Sequence, residues 1–209
     1  MKKFLFVSIT ISLVTFTACN SSSDKSQKEH DMNTMGKDTT HPAATMDDKD
    51  IKTVAITYTN VDAKAAASIK EIIDHYLHLK NALVNNNGSE AAVASKEMAQ
   101  ALAKVDKSLF TPEQKKVFDD IEDDLREHAE HIGKNAGDIE HQREHFSMMS
   151  EDVYDMVKAF GSGQTLYHDH CPMANDNKGA MWLSEMKEVR NPYFGGKMNE
   201  CVHVVEKIK

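Results

Sequence analysis

The 209-residue sequence has no run of basic residues, and its 25 Lys and Arg stand against 33 Asp and Glu, a formal charge of −8. Nucleic acid is bound chiefly through clustered Lys and Arg, so this balance argues against a nucleic-acid partner. An acidic surface does attract cations. The sequence also lacks a Gly-rich phosphate loop, a Gly-x-Ser-x-Gly elbow and a Cys-x-x-Cys-His pair. Those absences exclude the phosphate-loop, serine-hydrolase and haem-attachment readings. A di-iron bundle needs Glu-x-x-His on two helices, and here only Asp138-x-x-His141 comes near that pattern. Cysteine is scarce as well, with three residues at Cys19, Cys171 and Cys201.

Beyond the first 18 residues there is no long apolar run. Lys2 and Lys3 precede "FLFVSITISLVTFTA", a stretch too short for a membrane span and followed directly by polar sequence. This is the pattern of a secretory signal. Phe16-Thr17-Ala18-Cys19 resembles the end of a bacterial lipoprotein signal, so Cys19 is the expected lipidation site and mature N-terminus. The expected location is periplasm-facing and lipid-anchored, with the outer membrane favoured. Removing residues 1–18 takes away Lys2 and Lys3 and no acid, so Lys+Arg falls from 25 to 23 against 33 Asp+Glu, a charge of −10. Export also permits a disulfide between the two remaining cysteines.

Residues 19–60 read as a tether. The run "NSSSDKSQKEHDMNTMGKDTTHPAATMDDKD" has no Leu, Ile, Val or aromatic residue and cannot bury a core. It carries His30, Met32, Met35, His41 and Met46, donors that hold metal loosely in such tracts. The alternative is a polar tether with incidental Met and His.

Residues 61–209 form the expected domain, with a helical pattern from Val61 to Phe160. Ile69, Ile72, Ile73, Tyr76, Leu79, Lys80 and Leu83 recur at three- and four-residue spacing until "NNNG" breaks the first helix. A second helix spans about Ser89 to Ser108. Thr111-Pro112-Glu113-Gln114 is a start signal for a third, to about Asn135. A fourth spans about Asp138 to Phe160, and "GSG" ends it. Four amphipathic helices with short loops predict an all-α fold, an antiparallel four-helix bundle. After Gly163 the periodicity stops. Leu183 to Val189 reads as a short helical turn, Cys201 to Ile208 as a possible short strand, and the rest as irregular chain.

That C-terminal segment concentrates the chemistry. His168, His170, Cys171 and Met173 lie within six residues, and Met198 and Cys201 close the segment. Thiolate and thioether select copper in its reduced state, and imidazole suits copper and zinc. The same residues also read as a Cys171–Cys201 disulfide with methionines filling core gaps. On the third and fourth helices His128 and His131 are three apart, and His141 and His145 four apart, so each pair shares a face. Met148 and Met149 adjoin His145. Taken singly, each of these is an ordinary solvated histidine, and the His75/His78 pair is read that way.

The runs "YLHLKNALV", "HIGKNAGDIEHQREHFSMMSEDVYDMVKAF" and "YHDHCPMANDNKGAMWLSEMKEVRNPYFGGKM" together resemble domain-of-unknown-function family 3347. That family comprises exported bacterial lipoproteins and domains joined to membrane-fusion subunits of copper/silver efflux systems, and the resemblance covers about Asp62 to Val204. The "CPM" step is similar to the Tyr-x-Cys-Pro-Met-His motif of small heavy-metal-binding domains, with Ala174 in place of the last His. Val202 stands where the family commonly has Gly. The resemblance implies copper binding, as Cu(I) and possibly Ag(I), by a chaperone or buffer for metal efflux. Its expected ligands are Cys171, Cys201, Met173 and Met198, with His170, His168, His145, His141 and Met149 as further donors, the "HCPM" and "MNEC" ends closing a pocket against the histidine face of helix four. Cu(II) or zinc is less expected, because thioether ligands disfavour them. A saturated site leaves no open position for a substrate, so no enzyme is expected, though electron transfer stays open. The implied partner is an efflux membrane-fusion subunit or another envelope metal protein. The alternative is a metal-free adaptor with a structural Cys171–Cys201 disulfide.

Overall fold

The structure, a computed structural model, describes residues 50–209. Four long helices dominate: α1 (Ala63–Val84), α2 (Gly88–Ala103), α3 (Pro112–Lys134) and α4 (Ile139–Phe160). Local chemistry sets their ends. The Asp62 carboxylate accepts from Lys64 N at 2.8 Å. Thr111 Oγ1 accepts from Gln114 N while Gln114 Oε1 accepts from Thr111 N, which closes a capping box ahead of Pro112. Gly161, at φ +78°, terminates α4 in a conformation that glycine adopts without strain. The helices pack in chain order, α1 on α2, α2 on α3 and α3 on α4, with α4 returning to α1. Ile72, Leu79, Met98, Leu102, Phe118, Leu125 and Phe146 are fully buried between them. Among the described residues, no helix is long and apolar enough to cross a membrane.

The C-terminal segment overturns the all-α expectation. Its strands are β2 (Leu166–Cys171), β3 (Ala180–Ser184) and β4 (His203–Ile208), joined by β1 (Thr53–Val54) from the other end of the domain. They form one mixed sheet in the order β1-β4-β2-β3, with β1 parallel to β4 and the other pairs antiparallel. The fold is mostly helical with a four-stranded sheet. The strand read at the C-terminus is present as β4. The helical turn read at Leu183 is instead the end of β3. Four of the five β3 residues are buried, so no alternation marks that strand. In β2 a register shift between His168 and Asp169 interrupts the alternation.

The tether also ends earlier than residue 60. Ile51 is buried, β1 pairs with β4, and Thr57 N and Tyr58 N donate to Lys158 O and Ala159 O at the end of α4. The Tyr58 ring lies 5.6 Å from that of Phe160. The alternating apolar residues of "IKTVAITY" were the available signal.

A buried polar joint ties sheet to helices. Tyr76 Oη on α1 accepts from Leu183 N of β3 at 3.0 Å and shares a hydrogen bond with Ser150 Oγ of α4 at 2.9 Å. Lys80, one turn along α1 and also buried, donates to Ser184 Oγ at 3.3 Å and Glu185 Oε2 at 2.7 Å. Burial opposes the charge on Glu185, but Asn81 and Lys80 hold its carboxyl below the ordinary value. On α4, Arg143 donates from Nε to Pro192 O and from a terminal nitrogen to Asn86 Oδ1, so one guanidinium joins three segments.

Asp169 on β2 lies beneath this joint, fully buried, and neither carboxylate oxygen has a hydrogen-bond partner among the described residues. Burial pushes its pKa up to about 8, and the Lys80 ammonium offsets this only in part. An unfolded aspartate ionises near pH ~4. The folded state therefore holds one extra proton between about pH 4 and about pH 8, and stability falls as pH rises through that window. Asp169→Asn is expected to flatten this slope and to exceed the wild type in stability at pH 8. Urea unfolding of the full chain at pH 5 and pH 8 reads both, and equal slopes in the two proteins would contradict the assignment.

Candidate metal centre

The two cysteines left after Cys19 come together across thirty residues of chain. Cys171 ends β2 and is buried; Cys201 closes the short turn Asn199–Cys201 that leads into β4. Their sulfurs are 3.5 Å apart, both thiols are free, and Cys201 Sγ donates to Met198 O at 3.1 Å. Two sulfurs each about 2.3 Å from one ion stand about 3.8 Å apart at a tetrahedral angle. The pair thus fits a shared soft metal with little movement. Partial burial, and then the Cys171 thiol beside it, raise the pKa of Cys201. Metal binding at this pair is therefore expected to release protons.

Met173 and Met198 line one cleft of about 390 Å³ with Glu140, Arg143, Glu144 and Ser147 of α4 and with Tyr193 and Phe194. The backbone around this cleft is unusual. Of the five non-glycine residues with positive φ among the described residues, Asn175, Asp176, Asn177 and Met198 line it. The first three make up most of the single turn α5 (Ala174–Asn177), which is left-handed over Asn175 and Asp176. Asparagine and aspartate tolerate that conformation; an unbranched Met pays for its Cβ with about 1–2 kcal/mol. Such outliers cluster at ligand-holding segments.

The expected histidines divide among three places. His141 and His145 lie on the face of α4 turned to α3, where His128 Nδ1 is 3.1 Å from His145 Nδ1 and the His131 and His145 rings stack at 4.3 Å. One ligand atom from each of His131, His141 and His145 lies within 4.8 Å of the others. Burial, then the neighbouring His131, His141 and His128, push the pKa of His145 down to about 4. Burial also lowers His128. His168 instead packs against Tyr154, ring to ring at 4.7 Å, and faces Glu206. His170 is registered opposite His203 of β4 and Met181 of β3. Its neighbour Cys171 points to the other side of the sheet, as successive strand residues do. Gly179 makes room for the His170 ring: a Cβ there would come within 2.8 Å of Nε2.

Several placements therefore differ from the sequence reading. Met149 is fully buried in the helical core and reaches neither group. The single pocket of sulfur against histidine resolves into two groups. The methionine cleft takes the Glu140, Arg143 and Ser147 side of α4, and the histidine cluster takes the side facing α3. His128 and His131 of "HAEH" are the residues that complete the cluster, and His203 of β4 stands opposite His170. Cys19, His30, Met32, Met35, His41 and Met46 lie outside the described residues.

Residues 72–165 match the model of a family described as protein of unknown function, DUF3347. This supports the family resemblance over α1 to α4; the cysteines and the cleft methionines lie beyond the matched stretch. No curated protein and no solved structure matches the chain.

Because Met198 holds a left-handed backbone at φ 54° while half exposed, Met198→Gly should stabilise the fold by up to about 1 kcal/mol. Denaturant midpoints of the two proteins decide it; a loss of stability would show that the Met198 side chain supports the cleft by packing.

Proposed function

We propose that the protein is an envelope lipoprotein, anchored through Cys19 and facing the periplasm, that binds Cu(I), with Ag(I) as a second cargo. It buffers the ion or passes it to the membrane-fusion subunit of a copper/silver efflux system. The helices α1 to α4 serve as an antiparallel bundle that carries the metal-binding segment. The observation that carries this reading is the approach of the Cys171 and Cys201 sulfurs to 3.5 Å. Soft sulfur donors select reduced copper, and the acidic chain attracts cations. Met173 and Met198 share one cleft, and the hydrogen bond from Cys201 Sγ to Met198 O ties that cleft to the thiol pair. The resemblance to proteins of metal efflux agrees in direction and is an analogy.

In this reading Cys171 and Cys201 hold the ion, and Met173 and Met198 exchange it with the partner. The tether residues His30, Met32, Met35, His41 and Met46 capture ions loosely. His168 is engaged by Glu206, and His170 points away from Cys171, so neither is assigned to the thiol pair. A second reading rests on the same proximity, since a thiol oxidant of the envelope, taking two electrons as two protons leave, would join the two sulfurs after a small side-chain rotation. The chain would then be a metal-free adaptor clasped by a Cys171–Cys201 disulfide and docked on an envelope partner.

The two readings part on a thiol count. Full-length protein purified without oxygen is expected to show both thiols and to take Cu(I) from a competing chelator. Cys171→Ala is expected to weaken Cu(I) binding at least about 10-fold, as does loss of a supporting ligand. Absent thiols together with unchanged copper competition in the variant would leave the adaptor reading standing and sink the copper one.

A further inference from the structure

The four converging histidines have a chemistry that the thiol pair does not explain. His131 lies in the last turn of α3 and His141 in the first turn of α4, so the α3–α4 turn brings together residues that a straight helix would hold far apart. Three of the other described histidines have carboxylate partners: His75 with Glu97 at 3.4 Å, His78 with Glu90 at 2.7 Å and His168 with Glu206 at 3.9 Å. In the cluster, His128, His131 and His145 face one another instead.

We propose that His131, His141 and His145 form a second metal site that takes a divalent, imidazole-preferring cation of the Zn2+ and Cu2+ type. The site is separate from the sulfur pair and does not depend on the Cu(I) reading.

Three observations support it. First, the ligand atoms are nearly placed. Three imidazole nitrogens each about 2.0–2.1 Å from one ion stand about 3.4 Å apart at tetrahedral angles. The present spread of at most 4.8 Å closes by rotation of half-buried rings, without backbone movement. Second, two of the three rings already have an orienting partner on Nδ1. His141 Nδ1 is 3.3 Å from Glu144 Oε2, and His145 Nδ1 is 3.1 Å from His128 Nδ1. Each ring thus leaves Nε2 as the free nitrogen, the arrangement in which a carboxylate or other polar group fixes a ligating histidine. Third, the donors are all nitrogen, which excludes the soft preference of the sulfur pair and suits Cu2+ and Zn2+. Glu144 provides negative charge close to His145, and Asp124 and Glu127 do so close to His128.

Three protein ligands leave a fourth position, and the partial exposure of all three histidines opens it to solvent. Such a site exchanges its ion readily. It also joins the end of α3 to the start of α4, so occupancy should stabilise that turn through linkage.

The test uses the full chain stripped of metal, with Cys171 and Cys201 alkylated for the divalent titrations because Cu2+ oxidises free thiols and Zn2+ binds them, and with Zn2+ and Cu2+ as separate calorimetric probes. The expected result is one divalent ion per chain and a rise in melting temperature on loading. His141→Gln or His145→Gln should weaken binding at least about 10-fold, and His128→Gln, which loses only an orienting contact, by about 10-fold. The Cu2+-loaded, thiol-blocked wild type should show nitrogen hyperfine coupling in its electron paramagnetic resonance spectrum. Circular dichroism confirms that the variants are folded, and the spectroscopy on wild type needs no variant. Cu(I) affinity, measured in parallel, should be unchanged by the histidine substitutions, which separates this site from the thiols. Absence of divalent binding in the thiol-blocked chain, equal affinity in the glutamine variants, or absence of nitrogen hyperfine coupling from the bound copper would each overturn the proposal.

Discussion

The hydroxyl of Tyr76 lies where the helices and the sheet meet. It accepts from the Leu183 amide of β3 and bonds Ser150 of α4, while its ring stacks on Phe146 at 5.3 Å. A buried phenol needs its polar atom satisfied, and here satisfaction requires strand β3 to lie against α1 and α4. Lys80 reinforces the same joint through Ser184 and Glu185. Everything chemical in the C-terminal segment follows from that docking. β2 pairs with β3, so the joint fixes Cys171, and β4 pairs with β2, so it also fixes the turn that carries Cys201.

The joint carries a cost in the same place. Asp169 pairs across the sheet with Trp182, and burial pushes its carboxyl pKa up to about 8. Its burial beside the cysteine strand couples the fold's stability to pH. The left-handed residues around the cleft add a second local cost, at Asn175, Asp176, Asn177 and Met198. Conformations of this kind persist where surrounding structure over-determines them. The Arg143 guanidinium of α4 is bonded to Pro192 O and to Asn86, the remaining non-glycine residue with positive φ among the described residues.

Separating two donor groups on α4 gives one helix two chemical faces. Glu140, Arg143 and Ser147 turn toward the methionine cleft, and His141 and His145 turn toward α3. Glu144 stands at the boundary, lining the cleft while holding His141 Nδ1. Soft sulfur and borderline nitrogen are thereby kept in different environments on a shared support.

The four helices were legible because their signals are local. Apolar spacing in "IIDHYLHLK", the capping signal at Thr111 and the glycine after Phe160 act within a few residues, and the boundaries fall close to their expected places except the end of α2, which stops at Ala103 rather than Ser108. The donor residues were also visible as types: cysteines, methionines and histidines stand out in any reading. What the sequence by itself could not determine was the sheet, because β3 is buried on nearly every residue and β2 carries a register shift, so neither shows a clean period of two. Nor could it tell which donors meet. Adjacent His170 and Cys171 part because strand residues alternate sides, whereas Cys171 and Cys201 meet because two distant strands pair. Local spacing determined the helices and the inventory of ligands. Non-local pairing, which leaves no period in the chain, decided that sulfur and histidine form two groups and which residues belong to each.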